Sequence, residues 1–176
     1  MTSNEEPTSE TARREAMVRA VVMTGLLAAT LDITAAIVNF LIATGGANPL
    51  IVLQYIASGV LGPAAFQNGA WAAAAGLLFH CVIAVSWTAL FFAAYFRLEP
   101  LRRVWIVSGV LYGLFVWTAM TKIVVPLSNV RPVQHTLLRD LLAIAILMAC
   151  VGIPVAWSAK RHYARQEGTP ALPPAR

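Results

Sequence analysis

The chain has 176 residues, of which 59% are hydrophobic and 12% charged, and its formal net charge is +5. Soluble globular domains have about a quarter of their residues charged, so this composition excludes an ordinary water-soluble domain. The apolar residues form four blocks, each long enough for a bilayer core that needs roughly 20 helical residues. The sequence therefore predicts an all-α polytopic membrane protein with four transmembrane helices in one bundle.

The first 15 residues are polar and contain Pro7, which predicts a disordered cytoplasmic tail. The apolar block behind them predicts a first span over about residues 17–43, too long for the apolar region of a signal peptide, which has about 7–15 residues. Gly25, Asp32 and Asn39 are spaced by seven residues and share one helix face. Because a charge at mid-bilayer costs about 2.5–3.5 kcal/mol, we expect Asp32 to point into the bundle.

Residues 50–65 form an apolar segment that is too short to cross the bilayer. Gly45, Gly46 and Pro49 precede it and end the first span. The segment is predicted to be a helix on the outer side, either lying in the interface or re-entering the membrane.

Small residues recur at helical spacing in the second span (about 69–96) and the third span (about 104–125). In the second span every fourth residue belongs to one predicted packing stripe: Ala72, Gly76, His80, Ala84 and Thr88. The third span contains Gly109 and Gly113 in a GxxxG pattern. Small residues let helices approach closely in lipid, so these seams predict that the two spans form a tight central hairpin.

The fourth span is predicted over about residues 135–159, kinked by Pro154, with a disordered cytoplasmic tail over 161–176. Basic residues mark alternate ends of the spans. Ten of the thirteen Lys and Arg fall on one side: Arg13, Arg14, Arg19, Arg97, Arg102, Arg103, Lys160, Arg161, Arg165 and Arg176. The positive-inside rule then predicts that both termini are cytoplasmic, and the basic excess reflects topology instead of nucleic-acid binding.

A cluster of polar side chains is predicted in the outer half of the bundle, from counting 1.5 Å per residue inward from the span ends. Its candidate members are Asp32, Asn39, His80, Lys122, Arg139 and Asp140. In a structural interpretation, Asp32 pairs with Arg139 or Lys122, His80 donates a hydrogen bond to a backbone carbonyl, and the network fixes helix register. In a functional interpretation, the same groups line a cavity for a small polar ligand or a proton, with residues 50–65 as its lid.

Other chemistry lacks a motif. The sequence has no HExxH, GxSxG, Walker A or paired CxxC pattern, so we expect no catalytic residues and no metal site. Haem would need two axial ligands at matched depth, but His80 is deep and His135 is near the surface, so only two copies of His80 in a dimer would serve and we expect no cofactor. Cys81 and Cys150 are expected to be free thiols. The Trp and Tyr residues are expected to form an interfacial belt.

The segment IASGVLGPAAFQNGAWAAAAGLLFHCVIA, with the preceding LDI and the later LYG and VVPLS, resembles a set of four-span bacterial inner-membrane proteins of about this length. The resemblance covers roughly Leu31 to Ser128. It implies a fold and a bacterial cytoplasmic membrane, and it implies no reaction, substrate or catalytic residue. Arg outnumbers Lys eleven to two, and Ala is abundant, which is typical of a GC-rich bacterial genome.

Three functions remain open at this point. The first is an accessory or scaffold protein whose small-residue seams bind a second copy or another membrane protein. The second is a small transporter or a proton- or ligand-binding unit that uses the polar cluster around Asp32. The third, a membrane-embedded enzyme acting on a lipid or quinone, has least support because no nucleophile or metal set is visible. The expected surroundings are the lipid bilayer, with no nucleic acid.

Overall fold

A computed structural model describes residues 9–131 and 136–167. Within these ranges the chain is helical and contains no β-strand. The helices are α1 (Ser9–Thr44), α2 (Leu50–Leu61), α3 (Gly69–Arg97), α4 (Glu99–Arg103), α5 (Trp105–Ala119), α6 (Val125–Leu127), α7 (Leu137–Leu147) and α8 (Ile153–Glu167). A 3-10 turn over Gly62–Phe66 extends α2, and π-helical turns over Met120–Val124 and Met148–Gly152 join α5 to α6 and α7 to α8.

In the described part of the chain, four helical stretches are long and apolar enough to span a membrane, which confirms the predicted fold class of a four-helix polytopic bundle. These spans are Glu10–Thr44, Gly69–Arg97, Trp105–Leu127 and Leu137–Arg165. The shortest has 23 residues, which at 1.5 Å per residue is about 35 Å and exceeds a core of about 30 Å. The shorter apolar helix over Leu50–Phe66 does not reach this length.

The helices continue further into the polar ends than the sequence predicted. α1 already begins at Ser9, and α8 continues to Glu167. A helix that is nucleated by an apolar span propagates into neighbouring residues at little cost, because only nucleation is unfavourable. Arg14 and Glu10, four residues apart, also form an ion pair at 2.7 Å. Residues 1–8 and 168–176 of the predicted tails lie outside the described ranges.

The start of the first span and the end of the fourth lie at the same end of the bundle, which we call the basic end. The hydroxyl oxygens of Thr24 and Ser158 are 2.5 Å apart, and Arg13 and Arg165 line one groove. The chain between the second and third spans is at this end too, since Lys160 lies 4.9 Å from the ring centroid of Trp105. The basic side chains of both termini therefore surround one end of the bundle.

The two glycine seams have different partners, so the predicted close hairpin of the second and third spans is wrong. A Cβ atom at Gly109 would come within 2.8 Å of the Gly152 carbonyl oxygen, and one at Gly113 within 2.6 Å of Met148 Cα, so the third span packs tightly on the fourth. A Cβ atom at Gly76 would overlap the backbone carbonyl of Leu53 in α2. The spacing of small residues indicates which helix faces allow close approach, but it does not identify the helix that packs against each face.

The predicted stripe on the second span is not a single face. Each step of four residues advances 400°, or 40° beyond a full turn, so the stripe rotates by about 160° between Ala72 and Thr88. Ala72 and Gly76 therefore contact α2, whereas His80 and Ala84 line the interior of the bundle. Thr88 is buried, and its hydroxyl donates to the Ala84 carbonyl at 2.8 Å.

Helix α2 is held against the second span and against the turn that follows the third. Gln54 donates to the carbonyl of Gly69 at 3.0 Å, and the Tyr55 hydroxyl donates to the carbonyl of Arg131 at 3.3 Å. The carbonyl of Gly59 accepts from the N–H of Asn129 at 3.0 Å. α2 begins after a tight turn in which Gly45 and Gly46 have φ of 68° and 99°, a region that favours glycine.

Each of these π-helical turns ends two residues before a proline, Pro126 in the third span and Pro154 in the fourth. In each turn the carbonyl of the starting methionine accepts from the N–H five residues on. Proline has no N–H and its ring clashes with the carbonyl four residues back, so the backbone opens into a wider turn. The kink predicted at Pro154 thus takes the form of a π-helical turn, and the third span repeats it.

Aromatic side chains fill the half of the bundle nearest the basic end, which we call the aromatic half. Its fully buried members include Phe91, Phe92 and Tyr95 of α3. Tyr112 of α5 lies 4.6 Å from Phe91 between ring centroids. Tyr163 of α8 stacks on Tyr95 at 5.8 Å. These rings, and not the glycine seams, join the second span to the third and fourth.

Three of the four tyrosines are therefore core residues, contrary to the predicted interfacial belt. Tyr95, Tyr112 and Tyr163 are buried. The hydroxyl of Tyr112 donates to the carbonyl of Trp87, and that of Tyr163 donates to the carbonyl of Phe92 at 3.1 Å. A buried tyrosine needs such a partner for its hydroxyl. Tyr112 of the third span and Tyr163 of the fourth both obtain it from backbone carbonyls of the second span.

Candidate functional site

A cavity of about 310 Å³ lies between all four spans, and we call it the polar cavity. Three of its lining residues are polar, namely Asp32, Asn39 and His80, and the remaining walls are apolar. The apolar walls include Ala84 and Trp87 of the second span, Val116 and Met120 of the third, and Ile146 and Val151 of the fourth. Its volume is at the lower end of the range of roughly 300–1,000 Å³ found for ligand sites.

Asp32 and His80 face each other across the interface of the first and second spans. His80 Nε2 is 3.1 Å from the carbonyl oxygen of Ala29 and 3.7 Å from Asp32 Oδ2. Because a carbonyl oxygen only accepts, this hydrogen bond assigns the proton to Nε2, which donates to Ala29. The carboxylate of Asp32 lies beyond hydrogen-bond reach of the same nitrogen but within ion-pair distance of it. The side chain of Asp32 is 22% exposed, and that of His80 is 14% exposed.

Helix geometry explains why these groups share a cavity. Asp32 and Asn39 are seven residues apart on α1, so they lie on one face and are separated by about 10 Å along the axis. Ala28, four residues before Asp32, is fully buried in the aromatic core. At Gly25, seven residues before Asp32, an added Cβ atom would lie 2.8 Å from Val85 of the second span. The first and second spans are therefore in close contact at Gly25, and the cavity between them extends from Ala28 to Asn39.

Three predicted members of the cluster lie elsewhere. Lys122 is exposed on the third span, Arg139 is exposed in the first turn of α7, and Asp140 is half-buried in that turn. None of the three lines the polar cavity. Counting along a span estimates height but not the direction of a side chain around the helix, and the π-helical turn that contains Lys122 shifts that direction further. His135 lies outside the described ranges.

The predicted lid is also elsewhere, because no residue of α2 lines the polar cavity. α2 contacts the second span nearer its first residue, through Gly76 and Ala72, one to two turns before His80. Residues that the sequence did not single out form the other walls, among them Met120 and Val151 of the two π-helical turns. A signal for these turns was present, since the third and fourth spans contain MTKIVVP and MACVGIP, each with methionine six residues before proline.

The four small residues predicted to mediate helix packing all lie at helix contacts. Ala72 is fully buried together with Ala57 of α2. Gly76, Gly109 and Gly113 leave no room for a Cβ atom. These seams are occupied within the chain, by α2 for the second span and by the fourth span for the third.

In the described part of the chain, no three His, Cys, Asp or Glu side chains are grouped closely enough to hold a metal ion. Cys81 and Cys150 are free and half-buried. The chemistry that the polar cavity offers is therefore a carboxylate, an imidazole and an amide in an apolar chamber.

No family model, curated protein or solved structure matches this chain. The resemblance to four-span bacterial inner-membrane proteins accordingly rests on the sequence segments quoted above.

Proposed function

We propose that this protein is a small membrane unit that binds a ligand in the polar cavity, as one component of transport or sensing across the bilayer. The observation that carries the proposal is that the Asp32–His80 pair faces a 310 Å³ cavity lined by all four spans. An ionisable group inside a membrane is costly, and it points to function when it faces a cavity. Two π-helical turns border the same cavity, and such turns are frequent at functional sites.

The scaffold hypothesis loses its main support. It relied on small-residue seams that would be free to bind a partner helix. Gly76 is covered by α2, and Gly109 and Gly113 are covered by the fourth span, so a partner would have to displace part of this chain. Association with a second copy or another membrane protein through other faces remains a prediction.

The proposed location is a bacterial cytoplasmic membrane with both termini in the cytoplasm. The positive-inside rule supports this orientation, because Arg13, Arg19 and Arg165 surround the basic end. In this orientation the side chain of Asn39 lies toward the outer end of the polar cavity. Four helices enclose only a narrow space, so a transport cycle would use a dimer to provide two surfaces that move against each other.

The test uses one panel of four probes of similar shape: 4-phenylbutylamine, 4-phenylbutan-1-ol, 4-phenylbutanoate and butylbenzene. Thermal unfolding of the protein in lipid nanodiscs is measured with and without each probe, for wild type, Ala84→Leu and Ala74→Leu. Ala84 lines the polar cavity, whereas Ala74 is exposed on the same helix and is the matched control. We expect at least one probe to stabilise wild type and the control, by about 2.7 kcal/mol at a hundredfold excess over its Kd.

The larger side chain at position 84 occupies the cavity and should abolish this stabilisation. The proposed function is contradicted if no probe raises the unfolding temperature of wild type, or if the Ala84→Leu variant responds as fully as the control.

A further inference from the structure

The carboxylate of Asp32 is an acceptor without a donor. Among residues 9–131 and 136–167, no side chain or backbone N–H donates a hydrogen bond to it, and its ion-pair contact is with His80 Nε2 at 3.7 Å. Buried carboxylates are normally paired and hydrogen-bonded, because an unmet charge in an apolar environment is strongly unfavourable. The side chain of Asp32 is 22% exposed and lines the polar cavity, so its carboxylate is open to a donor from a ligand.

The other polar groups of the cavity do not meet this need. The Nε2 proton of His80 is directed to the carbonyl oxygen of Ala29. Asn39 is about two helical turns away along α1, roughly 10 Å. Among the described residues, no Lys or Arg lines the polar cavity, since Lys122 and Arg139 lie outside it. Among the lining residues, Asp32 is thus the one acidic group, and the walls around it are mostly apolar.

We infer that the ligand of the polar cavity is a lipophilic cation, of which the simplest form is a primary amine on an apolar body. This inference rests on the proposed function and specifies its ligand class. The ammonium group donates to the Asp32 carboxylate in a charge-assisted hydrogen bond, the strong form of such bonds. The apolar body lies against the walls formed by Ile83, Val116 and Ile146. A carboxylate ligand would be repelled by Asp32, and a neutral alcohol would lack the ion pair.

The experiment measures the affinities of 4-phenylbutylamine, 4-phenylbutan-1-ol and 4-phenylbutanoate by titration calorimetry on the full chain in nanodiscs. Empty nanodiscs correct for partition into lipid. The variants are Asp32→Asn, which keeps the shape but removes the charge, and Ala84→Leu, which fills the cavity. We expect the amine to bind wild type about tenfold or more tightly than the alcohol, and the carboxylate not to bind. Asp32→Asn should weaken the amine by about tenfold or more and leave the alcohol unchanged.

The outcomes separate the ligand class from the function. In one outcome, the alcohol binds as tightly as the amine, Asp32→Asn changes neither affinity, and Ala84→Leu abolishes both. This outcome contradicts a cationic ligand, while the cavity remains a ligand site. If the amine binds but Ala84→Leu does not affect it, the amine binds elsewhere and the inference is overturned. If none of the three probes binds wild type, the inference is overturned, and the proposed function is contradicted as well if butylbenzene also fails to stabilise wild type.

Discussion

The two halves of this bundle differ in how the space between the four helices is filled. The aromatic half is filled by aromatic rings, and the hydroxyl groups of Tyr112 and Tyr163 donate hydrogen bonds to backbone carbonyls there. The other half leaves about 310 Å³ open and directs the carboxylate of Asp32 to that space. In lipid, apolar burial does not drive helices together, so close contact must do so. The contrast indicates that the aromatic half maintains the fold and allows the cavity half to remain open.

The largest expected effect breaks the aromatic half. Phe92 is 1% exposed and packs on Tyr163, so Phe92→Ala should lower the free energy of unfolding by about 3–5 kcal/mol. Phe96 on the same helix also stacks on Tyr163, at 5.7 Å between ring centroids, but it is 65% exposed, so Phe96→Ala is the matched control with a smaller expected loss. Denaturant unfolding in detergent micelles measures both. Equal losses for the two variants would mean that the aromatic half does not carry the stability.

The next effect concerns the contact of α2 with the second span. A side chain at Gly76 meets the backbone of Leu53, which cannot move as easily as a flexible side chain. Gly76→Val should therefore destabilise the protein by about 1–3 kcal/mol and increase proteolysis near α2. Ala74→Val adds an apolar side chain of the same kind on the exposed face and controls for helix propensity. Unchanged protease protection of α2 in Gly76→Val would show that this contact is dispensable.

A smaller effect is expected in the wall of the polar cavity. Ile146 already faces open space, so its side chain has fewer contact atoms to lose. We expect Ile146→Ala to cost about 1 kcal/mol, below the usual range of about 2–5 kcal/mol for such a truncation in a filled core. The same unfolding assay measures it. A loss as large as that of Phe92→Ala would mean that this half is closed in solution.

The smallest effect on stability is expected at the carboxylate itself. Asp32 accepts no hydrogen bond from the described part of the chain, so Asp32→Asn removes no such bond and keeps the shape. The free energy of unfolding should change by no more than about 0.5 kcal/mol, which is typical of substitutions away from structural contacts. A large loss of folded yield in detergent would instead support a structural role, in which the contact of Asp32 with His80 fixes helix register in place of the predicted pair with Arg139 or Lys122.

Hydropathy was sufficient to predict the four spans, because their lengths and composition are set by the bilayer. Helical periodicity placed Asp32 and Asn39 on one face, and depth placed His80 near them, so half of the candidate cluster could be predicted. Lys122 and Arg139 could not be located in this way, because one-dimensional counting leaves the rotation of each helix about its axis undetermined.

The partners of the glycine seams were equally beyond sequence reasoning. Gly76 was expected to contact the third span, but the short helix α2 takes that face. Which helix fills a small-residue face depends on competition between all the helices, and the aromatic rings of the third span hold it away from the second. The π-helical turns had a local cause, Pro126 and Pro154, but their role in lining a cavity depends on the assembled bundle.

The most direct test of the contrast between the halves is the difference in thermal unfolding temperature between Ala84→Leu and Ala156→Leu, measured without ligand in the same nanodiscs. Ala84 lines the polar cavity, and Ala156 is 0% exposed in the aromatic half. The same three added carbons should be accommodated at position 84, with an unfolding temperature equal to or above that of wild type, and should lower it at position 156. Equal losses at the two positions would contradict the account, because they would mean that no open cavity lies beside Asp32.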